Sequence, residues 1–214
     1  LVVNYRLTEY RKLIGDGSSD TEISRIKIEG QIAAVGAAFH NGFAFHLPEI
    51  LRSQVNESEI RYTINNTRQT DSPLEPGRNA AIFIIAGDVW DFVSAGESCK
   101  YYRTEPGCGS AIQMVFSMTI PFYGESRPAE MPDLPYDPFI FSSEGYERNY
   151  VFGEAPGRAY EVHMKNHAPT EAARSDFFNR GDDASNISLG EYYLTPNGIV
   201  SASLKSVSSW NALE

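Results

Sequence analysis

The residues that could do chemistry are few, and the histidines come first. His163 and His167 in "HMKNH" have the i, i+4 spacing that puts two zinc ligands on one helix face. The residues before them alternate as in a strand, Pro169 follows, and no glutamate stands between the histidines as a metalloprotease helix requires. They read as histidines at a strand end. His40 and His46 flank Asn41-Gly42 in "GAAFHNGFAFHLPEI". Asn-Gly between apolar runs predicts a two-residue hairpin turn, because a type I′ turn needs positive φ at both central positions. That register pairs His40 with Phe43 and sends His40 and His46 to opposite faces, so they share no metal and are incidental to chemistry.

Oxygen ligands are the other candidate set. "NRGDDASN" brings Asp182 and Asp183 together with Asn179 and Asn186, the hard-donor chemistry calcium prefers. The order of an EF-hand loop is absent, and Asp and Asn also cap turns by accepting backbone hydrogen bonds. Asp182 and Asp183 are the predicted calcium ligands; Asp16 and Asp20 in "DGSSD" are weaker candidates and otherwise sit in a hairpin loop. No serine lies in a nucleophile-elbow pattern, nothing singles out a catalytic carboxylate pair, and no catalytic residue is assigned. Arg180-Gly181-Asp182 is a tripeptide short enough to recur by chance. Trp90, Tyr101, Tyr102, Tyr192 and Tyr193 could stack on sugar rings, against a core or rim role for each.

The totals narrow the classes. A chain of 214 residues buries about 70% of its unfolded surface without metal or staples. A net charge of −10 disfavours nucleic acid and anionic membranes as partners. No run approaches the roughly 18 apolar residues of a membrane helix, and no basic leader precedes an apolar run. The first residue is Leu1, which reads as a processed product or a fragment whose export signal lies outside it. Cys99 and Cys108 bracket "KYYRTEPG", whose Glu-Pro-Gly suits a turn that brings the thiols together. A structural disulfide there would contribute about 2.5–3 kcal/mol on the chain-entropy model and implies an oxidising compartment.

Strict alternation supplies the scaffold. Ile112, Met114, Phe116, Met118, Ile120 and Phe122 share one parity, as do Val3, Tyr5 and Leu7, Ile60, Tyr62 and Ile64, and Tyr160, Val162 and Met164. "AAIFIIA" is apolar throughout and predicts a strand buried on both faces. Ile23 breaks parity with Ile26 and Ile28, which predicts a bulge near Ser24 and Arg25. Only "PTEAARSDFF" looks helical, with Thr170 as a cap and Glu171 in its first turn. The expected fold is all-β, an antiparallel β-sandwich of jelly-roll-like form with long loops and at most one or two short helices. It is expected as a single domain over residues 1–214, with a weak subdivision at most near 123–138.

Several blocks carry a family likeness. "LVVNYR", "GAAFHNGFAFHLP", "AYEVHMKNHAPTEAA", "FFNRGDDAS", "YYLTPNG" and "SWNALE" resemble successive blocks of the LruC-type domain, named after a leptospiral outer-membrane lipoprotein. Asp182 and Asp183 fall in a matching block, whereas His167 does not, and the family's acidic segment before "LVVNYR" has no counterpart here. The resemblance implies a bacterial, exported or surface-attached, β-rich protein without established enzymatic activity. The leading expectation is therefore a non-enzymatic extracellular or cell-surface protein with a structural or adhesive role. It would associate with itself through strand edges, or with other surface proteins. The alternative is a carbohydrate-binding module with structural calcium, and the least favoured reading is a glycosidase or lyase. No cofactor is required, and calcium is the one candidate ion.

Overall fold

The computed structural model describes residues 1–15, 21–108, 111–124, 127–145 and 157–197. Asp16, Asp20 and the "SWNALE" block lie outside the described residues. The fold is all-β, with two antiparallel sheets packed as an unclosed sandwich. The five-stranded sheet runs β1 (Val2–Leu13), β2 (Thr21–Ala34), β7 (Val115–Pro121), β4 (Arg61–Ile64), β5 (Thr67–Arg68). The four-stranded sheet runs β6 (Ala80–Ala86), β3 (Asn41–Leu51), β8 (Asp137–Ser142), β9 (Glu161–Val162). Among the described residues the helical turns are all of the short 3-10 kind, and no helix is long and apolar enough to cross a membrane. The "PTEAARSDFF" segment gives one such turn, Ser175–Phe177; Thr170 Oγ1 does accept a hydrogen bond from the Ala172 N–H.

Alternation places the core where a two-residue period puts it. Ile26, Ile28 and Ile32 of β2, and Phe116, Met118 and Ile120 of β7, face Phe43, Phe45 and Leu47 of β3 and Phe83 of β6, all buried in one cluster. The parity break near Ser24 is a bulge: Tyr10 pairs with Arg25 but Arg11 pairs with Ile23, leaving Ser24 unpaired, and its hydroxyl bonds the Tyr10 carbonyl. β6 ends its sheet yet is buried on both faces, and its outer edge is covered. The Glu75 and Ile84 N–H groups donate to Ile82 and Pro73 carbonyls across that edge.

The expected hairpin at Asn41-Gly42 does not form. Both residues lie inside β3, paired with Ser142 and Phe141 of β8, and neither is at positive φ. β2 and β3 belong to different sheets, so the intervening residues cross from one layer to the other. The glycine serves packing instead of a turn: a Cβ on Gly42 would sit 2.1 Å from Phe141 Cζ. Gly42→Ala is therefore expected to cost about 1–3 kcal/mol through overpacking. Chemical denaturation checks this; a neutral Gly42→Ala, or one that Phe141→Ala fails to relieve, would contradict the contact.

Candidate site: a buried charge chain on the outer face of the four-stranded sheet

On β8, Asp137, Phe139 and Phe141 share a parity, and pairing sets His46 of β3 opposite Asp137 and Ala44 opposite Phe139. These side chains point away from the inter-sheet core. Ala44, Ile82, Phe139 and Phe141 make a second, smaller apolar cluster on that outer face. Residues 157–193 lie over it and bring their own polar groups. Because His46 follows Ala44 at the two-residue period, continuous strand β3 aims it into this layer.

Seven titratable side chains, Glu75, Arg158, Glu161, His163, Asp137, His46 and His167, are linked in one chain across the layer. Arg158 forks onto Glu75, with Nε and Nη2 each 3.0 Å from a carboxylate oxygen, and also donates through Nη1 to Glu161. Glu161, 3% exposed, accepts from the Thr170 N–H at 2.8 Å and the Thr170 hydroxyl at 2.5 Å. Its Oε2 also faces His163 Nε2 at 2.8 Å, and His163 Nδ1 faces Asp137 Oδ2 at 2.8 Å. His46 Nδ1 reaches the same Asp137 oxygen at 3.2 Å, and His167 Nδ1 lies 3.4 Å from Oδ1. Both nitrogens of the His163 ring lie within hydrogen-bond distance of a carboxylate oxygen. The ring is fully buried and held between Phe139, stacked at 4.3 Å, and Tyr193 at 5.5 Å. The Arg158 guanidinium lies 5.0 Å from the Phe139 ring centroid and 5.1 Å from that of Phe141.

Burial pushes the Asp137 carboxyl up, but hydrogen bonds from His163 and His46 outweigh it and hold Asp137 below the usual carboxylate range. Burial, then the charges of Asp137 and Asp183, push the Tyr193 phenol far above its ordinary value. A histidine between two carboxylates invites comparison with a hydrolase base and its orienting acid. Here both His163 nitrogens already face carboxylates, and the adjacent Thr170 hydroxyl is bonded to Glu161. The arrangement ties residues 157–193 to the rest of the fold, because the Arg158–Glu75, His163–Asp137 and His167–Asp137 pairs each join that layer to residues outside it.

The predicted ligands are placed differently. Asp183 closes its own loop: one oxygen accepts from the Asn179 N–H at 2.7 Å and the other from the Ser185 hydroxyl at 2.5 Å, while Asp182 is exposed. Among the described residues no group of three or more His, Cys, Asp or Glu is arranged to hold a metal ion. His40 bonds Asp88 at 2.5 Å beside Trp90, remote from His46 in its partners. Of the aromatics, Tyr102 and Tyr193 are core residues at 0% and 4% exposure, Trp90 packs against the inter-sheet core, and Tyr192 lies against Phe178 and Tyr193. A cavity of about 70 Å³ opens beside Glu161, between Tyr160, Phe177, Phe178 and Arg174. The Cys99–Cys108 disulfide is present, with 5.7 Å between Cα atoms.

Asp137, Glu161, Arg158 and Glu75 were not found by sequence reasoning. The available signal was parity: an acid two residues before Phe139 and four before Phe141 shares their face.

No curated protein and no solved structure matches the chain. The model of the family described as "Domain of unknown function (DUF4842)" matches residues 21–211, and the chain belongs to that family.

Proposed function

We propose that this protein is an exported or surface-displayed bacterial structural or adhesive module that self-associates by strand addition. The observation that carries the reading is the free edge of β1. This 12-residue strand ends the five-stranded sheet, and among the described residues its backbone bonds only β2. Long unpaired edges are templates for another strand, which is why proteins usually shorten or cover them. The other edges here are managed: β5 and β9 have two residues each, and β6 is covered. Exposed Leu1, Val2 and Leu13 lie at the two ends of β1. The disulfide supports export, since such bonds persist in oxidising compartments. The LruC-like blocks support a bacterial envelope or matrix setting, with other surface proteins as further partners.

Analytical ultracentrifugation and electron microscopy across a wide concentration range test this. Oligomers or filaments are expected to grow with concentration and to be lost in a Val2→Lys, Leu13→Lys variant. Dispersed monomers at every concentration would overturn the reading.

A further inference from the structure

The outer face of the five-stranded sheet differs chemically from the rest of a chain whose net charge is −10. Register lays out its cations. Arg25 of β2 stands between Tyr10 of β1 and Pro121 of β7, and Lys27 stands between Thr8 and Thr119. Arg61 of β4 flanks Thr119 on the far side, and Arg68 of β5 lies beside Thr63. Lys27 and Arg61 are two strands apart, about 10 Å between backbones. Together these side chains line a shallow groove of about 750 Å³ that crosses the sheet, with Glu59 its one acid.

The cations are also poorly neutralised. Lys27 pairs with Glu29 at 2.6 Å, but among the described residues Arg25, Arg61 and Arg68 have no salt bridge. Arg25 instead lies 4.3 Å over the Tyr10 ring. Three arginines without an ion pair among the described residues, on one face of an acidic protein, form a local site for an acidic partner. Each guanidinium can bond a carboxylate or sulfate through two parallel N–H groups.

From this we infer that the groove binds an anionic polysaccharide, a chain bearing carboxylate or sulfate groups. A groove spanning several strands suits an extended polymer better than one small ion. Among the described residues Tyr10 is the one aromatic residue lining the groove and Arg25 lies over its ring, so there is no series of rings on which successive bases could stack, which disfavours single-stranded nucleic acid. The disulfide is consistent with an oxidising compartment, the setting in which exported polymers are met. The inference shares the exported setting of the proposed function but uses a sheet face, not the β1 edge.

Affinity electrophoresis of the whole chain in polygalacturonate and in heparin is the test, with dextran, single-stranded DNA and phosphatidylglycerol vesicles as comparisons. Retardation by an acidic polysaccharide and not by dextran is expected. An Arg25→Gln, Arg61→Gln, Arg68→Gln variant should weaken binding about tenfold or more, one lost charge-assisted bond being enough. About 0.5 M salt should abolish it. These arginines are exposed, so the variant should melt like the parent and keep any concentration-dependent association. No binding to either polymer, or binding the variant leaves unchanged, overturns the inference while leaving strand addition standing. DNA or vesicles held as tightly through the same arginines overturn the polysaccharide assignment. Polysaccharide binding that survives the Val2→Lys, Leu13→Lys variant supports the face as a separate site.

Discussion

Replacing Arg158 with methionine is expected to destabilise the protein by about 3–5 kcal/mol, the usual cost of removing one partner from a buried ion pair. Side-chain exposure is 13% for Arg158, 12% for Glu75 and 0% for Glu161, so the two carboxylates would be left close together with little water to solvate them. Methionine fills much of the volume and keeps an apolar contact with Phe139 and Phe141, which separates lost charge from lost packing. Arg158→Lys should fall between parent and methionine variant, because an ammonium cannot reproduce the two-pronged bond to Glu75. Adding Glu161→Leu to Arg158→Met should recover part of the loss, giving strong non-additivity, since the apolar replacement removes one stranded charge. Urea unfolding followed by circular dichroism measures these four proteins and the Glu161→Leu single variant that completes the cycle. A methionine variant within about 1 kcal/mol of the parent would mean the pair is screened as surface pairs are.

Much of the inter-sheet core is legible from alternation alone. Met114, Phe116, Met118, Ile120 and Phe122, on β7 and beside its ends, and Ile60, Tyr62 and Ile64, on and beside β4, are buried as their parity demands. The bulge at Ser24 is legible too, because a broken period in an otherwise strict strand has few other causes. The disulfide follows from a turn between two cysteines, a local matter.

The site is not local, and that is why it was missed. His46 meets Asp137 across 91 positions, through a β3–β8 pairing that no short-range signal encodes. Reading Asn41-Gly42 as a turn broke β3 at its first residue and sent His46 to the wrong neighbours. Glycine carries two signals, positive φ and absence of a Cβ, and the sequence cannot say which is in use; here the Phe141 ring uses the second. Asp137 precedes Pro138, so it reads as a turn residue instead of the first member of an apolar stripe. The layer over that stripe, residues 157–193, has almost no regular strand and so no period from which its inward face could be read. Asp183 shows how a loop acid can serve its own turn: backbone and hydroxyl donors of the same loop engage both of its oxygens.

Asp137→Asn should cost about 3–5 kcal/mol near neutral pH, again by stranding a buried partner. The charged and titratable groups facing Asp137 are His46, His163 and His167, with Tyr193 nearby. An asparagine in its place turns one oxygen into an N–H donor and removes the negative charge that the three imidazole rings face. The pH dependence separates this from a loss of shape. In the folded protein the Asp137 carboxyl lies below its ordinary value of 3.8, so folding favours its ionised form. A depressed carboxylate contributes stability that is complete above the unfolded value and is lost as pH falls through it toward the folded one. The gap between parent and Asp137→Asn should therefore be widest above about pH 5 and narrow below about pH 4. Urea unfolding of both proteins at intervals from neutral to acid pH reads this directly. A gap of constant size across the range would show that Asp137 acts by packing and not by its charge, and the account of the buried chain as a charge-paired clasp would fail with it.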